Sequence, residues 1–429
     1  LSSSSSPGPL PHGGWPAPVR ALRHRNFRFY FGGQAVSVLG SWIQQVALAW
    51  LIYRLTGSVA LLGVTAFAAL LPMLIVGPLA GAWIDRRDKR RLLILVQGLL
   101  AGQAALLAVL TALDAIGPTL IVVMSVVLGV LNAFDTPLRQ AQISVFVDDR
   151  ADLPNALALN AMVFNSGRFI GPPLAGLILG LTSEAVCFAL NAVSFAALAF
   201  GVAMIRVEAT PRAKGSMGAV FREGLKFVWD VYTIRMLILT LATVNVTASS
   251  YAVLLPVFAK DVFVGDARML GWLWGAAGAG AFVGTIFLAT RKHLPGLVRV
   301  ILSGASASAL AMLVFSYNRE MPVALAAMAV VGFGISVCNV AINMLLQSLA
   351  PDHLRGRVVS FFSSTRFGFD AIGGLVAGLI AAQIGVQAAV LLEGVLLLAF
   401  IAWAWRLRGR LHGDIALHAG SGHAPATPR

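Results

Sequence analysis

Apolar runs of about 20 residues, separated by short polar connections, recur along nearly the whole 429-residue chain. Each run is long enough to cross a hydrocarbon core of roughly 30 Å as a helix. Twelve spans are predicted, at about 27–53, 61–84, 92–112, 119–147, 155–181, 184–205, 234–259, 269–290, 297–316, 321–349, 357–383 and 386–406. A closed barrel would show alternating segments of about ten residues instead, so these runs are helical. The longest polar connection, 206–230, leaves six spans on either side, and its second part carries apolar residues at the spacing of an amphipathic helix on the membrane surface. The expected organisation is a disordered Ser/Pro/Gly-rich tail (1–20), a six-helix bundle (21–205), the linker (206–230), a second six-helix bundle (231–410) and a disordered tail (411–429).

The two halves resemble each other. A shift of 202 residues lays Ala175-Gly176-Leu177-Ile178 on Ala377-Gly378-Leu379-Ile380, Gly171 on Gly373 and Arg168 on Asp370. Internal repeats with a binding site at their interface are a recurrent plan of secondary transporters. The fold class is therefore an all-α membrane protein with two pseudo-symmetric bundles.

With 58% hydrophobic and 12% charged residues, the chain is too apolar for a soluble domain. The net charge of +14 lies in short clusters between spans, without the aromatic and basic interleaving of a base-stacking surface, so nucleic acid is not an expected partner. Of the 32 Lys and Arg residues, only Arg54, Lys260, Arg268 and Arg319 fall on the face opposite the N-terminus. That asymmetry predicts both termini in the cytoplasm. Cys187 and Cys338 lie within apolar spans and read as small hydrophobes. No Gly-Lys dipeptide, His-Glu-x-x-His or Gly-x-Ser-x-Gly occurs, which leaves no phosphate-binding loop and no hydrolase signature. No cofactor, metal or enzymatic activity is expected.

Polar and charged positions inside the spans carry the candidate chemistry, because an ionisable residue in hydrocarbon is a functional hypothesis by default. Gln34, Ser37, Ser41 and Gln44 form a stripe on span one; Asn245, Thr247 and Ser250 mark span seven, and Asn339 and Asn343 span ten. These stripes are either hydrogen-bond ties between helices or the walls of one aqueous cavity, with Asn132 of span four as a further wall. Asp135 and Arg168 each lie 13 residues from the turn joining spans four and five, so equal depth predicts a buried ion pair between them. Arg366 and Asp370, four apart on span eleven, share a helical face, either as a silent pair or as a proton-carrying site.

Two motifs resemble those of the major facilitator superfamily. Gly81-Ala-Trp-Ile-Asp85-Arg86-Arg87-Asp88-Lys89-Arg90-Arg91 is similar to its loop motif after span two, with Asp88 where the family has a second glycine; Asp tolerates left-handed backbone better than most residues. Gly167-x-x-x-Gly171-Pro172-x-x-Ala175-Gly176 resembles its antiporter motif, and the paired prolines should kink span five. Phe134-Asp-Thr-Pro-Leu-Arg-Gln-Ala and Gln347-Ser-Leu-Ala-Pro-Asp-His-Leu-Arg355-Gly-Arg-Val resemble the branch containing enterobactin-type exporters and multidrug efflux proteins. The resemblance implies the major facilitator fold, a cavity lined by spans one, four, seven and ten, and Asp85 capping the start of span eleven as a gate. It also implies exchange of protons for a small amphipathic molecule, by a monomer in a bacterial inner membrane. An importer or facilitator on the same fold, and a non-transporting membrane receptor, are the alternative readings.

Overall fold

The computed structural model describes residues 17–84, 86–205, 231–291 and 296–420. Twelve long helices account for most of them: α1 (Arg25–Thr56), α2 (Val59–Ile84), α3 (Lys89–Ala112), α4 (Pro118–Phe146), α5 (Leu153–Leu181) and α6 (Glu184–Ala203), then α7 (Tyr232–Val262), α8 (Ala267–Ala289), α9 (Leu297–Tyr317), α10 (Met321–Leu349), α11 (Asp352–Ile384) and α12 (Val386–Gly420). Eleven are long and apolar enough to span a membrane, and the protein is a multi-pass membrane protein. α5 occupies the remaining place at 29 residues, made more polar by Asn155, Asn160, Asn165, Ser166 and Arg168.

Local chemistry sets the boundaries. α1 and α11 end at Gly57 and Gly385, whose φ angles of 59° and 85° belong to the region that favours glycine. Asp266 accepts from the free amides of Arg268 and Met269 at the start of α8. Asp88 does the same for Arg90 and Arg91 at the start of α3, in an extended conformation with φ −69°. The expected left-handed turn at Asp88 is thus replaced by a helix cap. α4 and α5 continue as helices through Pro137 and through Pro172-Pro173.

The packing repeats between halves. α1 lies on α5 and α6, α3 on α6 and α2 on α4; correspondingly α7 lies on α11 and α12, α9 on α12 and α8 on α10. The halves meet where α5 packs on α8 and α2 on α11. Equivalent glycines make equivalent contacts. Gly171 sits against Trp42 of α1 and Gly373 against Val246 of α7; Gly176 lies against Gly271 of α8 and Gly378 against Gly63 of α2, backbone upon backbone.

Two tail expectations are corrected. Residues 17–20 belong to a short 3-10 helix, Ala17–Arg23, and α12 continues to Gly420 instead of ending near 410. The 206–230 connection, with its expected amphipathic helix, lies outside the described residues.

Candidate functional site

α1 begins and α12 ends on one face, called here the terminal face; the opposite one is the distal face. Contacts between the halves concentrate from the distal face to mid-depth. Gly63 of α2 touches Gly374 and Gly378, and Gly176 and Gly271 touch each other. At the terminal end of α2, Gly77 and Gly81 face open space. The distal seal is reinforced by the Tyr53 hydroxyl donating to Asp261 across the halves, by Arg268 donating to the Gly180 carbonyl at 3.2 Å, and by Trp42 standing edge-on to Trp274 at 6.5 Å.

At mid-depth the seam reaches three charges. Arg168 of α5 lies within electrostatic reach of both Arg366 and Asp370 of α11, and also meets the Tyr251 hydroxyl of α7. All three charged side chains are half-buried. The repeat-related pair Arg168 and Asp370 therefore lie within electrostatic reach of each other across the halves. This cluster gathers two cations and one acid around the place where the halves part, an arrangement able to exchange a proton or an anionic group against a change of packing.

The predicted Asp135–Arg168 pair does not form. Asp135 instead binds Arg139 one turn along α4, with Oδ2 2.6 Å from Nε, while Gln97 of α3 donates to its other oxygen. Arg139 also donates to Gln34 Oε1 at 2.6 Å and to Ser37 Oγ at 3.1 Å. The reason is neighbourhood: α5 packs on α1 and α8 far more than on α4, so equal depth did not mean contact.

Of the two readings of the polar stripes, the structure shows hydrogen-bond ties at several positions. Gln34, Ser37, Gln44, Asn245, Thr247, Ser250 and Asn339 are all buried. Gln44 is tied to Gln103 and Asn191 within the first half, and Asn245 donates to Asn339 Oδ1 at 3.1 Å within the second. Gln34, Ser37, Gln44, Asn245 and Asn339 make interhelical ties, whereas Thr247 and Ser250 bond carbonyls of α7 itself; either way polar groups are satisfied that hydrocarbon cannot satisfy. Ser41, Asn132 and Asn343 are the predicted cavity residues that remain half-buried. Asp85 of the expected gate lies outside the described residues. Arg86 is exposed, and Arg90 staples α3 to the end of α6 by donating to the carbonyls of Val202 and Ala203 at 3.2 and 2.7 Å. Lys89 opens α3. Of the antiporter motif, Gly167, Gly171 and Pro172 are buried; Gly167 lets α5 close onto Val38 of α1, and Gly176 lets it close onto α8.

Three buried polar or charged groups were not among the candidate site residues read from the sequence: Arg139, Gln97 and Glu393. The i, i+4 spacing of Asp135 and Arg139 was the available signal for the first. A lone acid in the apolar run Val390-Leu-Leu-Glu393-Gly-Val-Leu was the signal for the third.

The comparisons with known proteins agree with this geometry. A staphyloferrin A transporter of Staphylococcus aureus is 26% identical over 84% of this chain and 90% of its own length. A multidrug efflux pump, Tap, of Mycolicibacterium fortuitum is 27% identical over 82% and 88%. Among solved structures, a bacterial homologue of the human lysosomal transporter Spinster superposes with a TM-score of 0.73 at 13% identity, covering 96% of this chain and 100% of that one. The family model described as transmembrane secretion effector matches residues 16–423. The chain belongs to this transmembrane secretion effector family of major facilitator transporters.

Proposed function

We propose that the protein exports a small amphipathic molecule in exchange for protons, by rocking of its two halves, with the terminal face in the cytoplasm. The observation that carries this reading is the cluster of Arg168, Arg366 and Asp370 at the seam between the halves. Asp370 is the proton carrier: as a carboxylate it answers both arginines, and once protonated it leaves them free to hold an anionic or polar group of the substrate. The half-buried Ser41, Asn132 and Asn343 supply neutral hydrogen-bonding contacts suited to varied substrates. The efflux pumps and the siderophore transporter among the relatives support export of such molecules. The positive terminal face supports a cytoplasmic location for it in a bacterial inner membrane. The protein works as a monomer, since each chain holds both halves of the rocker.

The test begins with a panel of toxic compounds screened against an overexpressing strain, to find a transported compound. Purified protein in vesicles with an imposed proton gradient then moves that compound against its gradient. Asp370→Asn lowers this uphill movement by at least tenfold while leaving energy-independent exchange intact. Uphill transport at the wild-type rate by Asp370→Asn would remove Asp370 from the coupling path.

A further inference from the structure

α7 is not one continuous helix. It runs from Tyr232 to Thr247, breaks over Ala248–Ser250, and resumes from Tyr251 to Val257 before a wide turn over Phe258–Val262. The arm beyond the break carries two contacts of the distal seal, Tyr251 with Arg168 and Asp261 accepting from Tyr53, and its Ala252 carbonyl accepts at 3.3 Å from Trp274, which stands against Trp42 of the first half. Opening the distal face therefore requires this arm to move about the break.

Glu393 of α12 lies at that break. It is seven residues into α12, about 10 Å from the helix start at 1.5 Å per residue. Only 5% of it is exposed. Its carboxyl meets the Ser250 hydroxyl, and one of its oxygens has no hydrogen-bond partner among the described residues. Ser250 also bonds the Thr247 carbonyl at 2.6 Å, so its single hydrogen is contested between that carbonyl and Glu393. A carboxylate there has at most one neutral donor for its two oxygens, whereas a carboxylic acid brings a donor of its own.

Among the described residues, no cation pairs with Glu393 from the helices around it. On α7 the titratable neighbour is Tyr251, turned to Arg168. On α11, Arg366 and Asp370 are engaged with each other and with Arg168. On α10, Cys338 gives its thiol hydrogen to the Ile301 carbonyl, and α9 presents Ala309, Met312 and Leu313 at Gly394. The repeat adds an independent observation. The 202-residue shift lays Glu393 on Asn191, which ties α6 to α1 through Gln44 at 2.8 Å. A neutral amide makes the equivalent tie in the first half, so the packing there needs no charge.

We infer that Glu393 is a proton-binding site, distinct from the Arg168–Arg366–Asp370 cluster, whose proton holds the break in α7 and with it the distal seal. Loss of the proton places an unanswered charge against Ser250 and drives the distal arm of α7 away, exposing the carboxylate to water. This deepens the proposed proton exchange and rests on that reading for its physiological use, though the site itself requires no transported substrate.

The experiment labels Ser58→Cys and Val264→Cys with spin labels on the distal face and measures their separation in substrate-free vesicles as pH is varied. In otherwise wild-type protein the long-distance population grows as pH rises, by up to roughly tenfold per pH unit through the transition. Glu393→Gln holds the short distance at every pH. Infrared spectra at neutral pH show an un-ionised carboxylic acid band that disappears in Glu393→Gln and shifts in Ser250→Ala, which leaves the acid in place should the first variant fold poorly. A wild-type pH response in Glu393→Gln, or an unchanged acid band in both variants, would overturn the inference. The acid band of Glu393 is read without transport, so its presence or absence separates the fate of Glu393 from that of the coupling cluster, which proton-driven transport by Asp370→Asn tests.

Discussion

Arg139 is held by an acid and three neutral oxygens: Asp135, Gln34 and Ser37, with Gln97 Oε1 at 3.4 Å. At 7% exposure its charge has almost no access to water, so each acceptor is needed. Arg139→Ala leaves Asp135 buried without a cation and is expected to cost about 3–5 kcal/mol. Asp135→Asn combined with Arg139→Gln costs less than the two single changes summed, measured by unfolding in detergent. Asp135→Ala and Arg168→Ala, by contrast, are expected to be additive within about 0.5 kcal/mol, because they share no partner. The charge pattern of α4 was legible from its i, i+4 spacing. Which helix each side chain faces was not, since that depends on packing between segments far apart in the chain.

At the level of elements, the 3-10 helix Ala17–Arg23 is fastened to the turn before α5. Asp152 binds Arg20, Arg23 and His24, with Nε of Arg23 at 2.7 Å and Nε2 of His24 at 2.9 Å; His24 also reaches Asp148 at 3.2 Å. Asn155 accepts from the Ala21 amide and donates to the Pro18 carbonyl. Burial pushes the Asp152 carboxyl up, but the His24 hydrogen bond and the two guanidinium groups outweigh it and hold the group below its ordinary value. A lowered folded value means the clamp's stabilisation is complete above the unfolded value of about 3.9 and is lost as pH falls through the folded one. The contribution of Asp152 to the clamp is therefore fully present around neutrality and is lost only in strong acid. Asp152→Asn releases it at neutral pH: charge-assisted hydrogen bonds worth about 1.5 kcal/mol each disappear, and trypsin cleavage after Arg20 and Arg23 is expected to rise roughly tenfold. The Pro/Gly-rich composition hid this element. The complementary charges were visible, but His24 and Asp152 are 128 residues apart and only the fold brings them together.

Across the whole molecule, the spans, the repeat and the division into halves were legible because hydrocarbon forces the pattern: every backbone group must be satisfied within a helix. The interior polar positions were legible as positions but not as roles. Gln34 and Asn245 share a stripe pattern with any cavity wall, yet both are ties inside their own half. Tyr53→Phe removes the bond to Asp261 that spans the halves, so the Ser58/Val264 label pair is expected to shift toward the long distance at constant pH. Gly271→Leu inserts a side chain where α8 meets the α5 backbone at Pro172 and Gly176. Overpacking of about 1–3 kcal/mol there disfavours the sealed form and slows substrate exchange about tenfold or more. These glycine seams have one more consequence. Where backbone meets backbone, parting and re-forming the contact resets few side-chain rotamers, each of which would cost about 0.5–1.5 kcal/mol to freeze. The seal at Gly176–Gly271 and Gly63–Gly378 thus works as a smooth bearing, with little frictional roughness in the energy surface along which the halves rock.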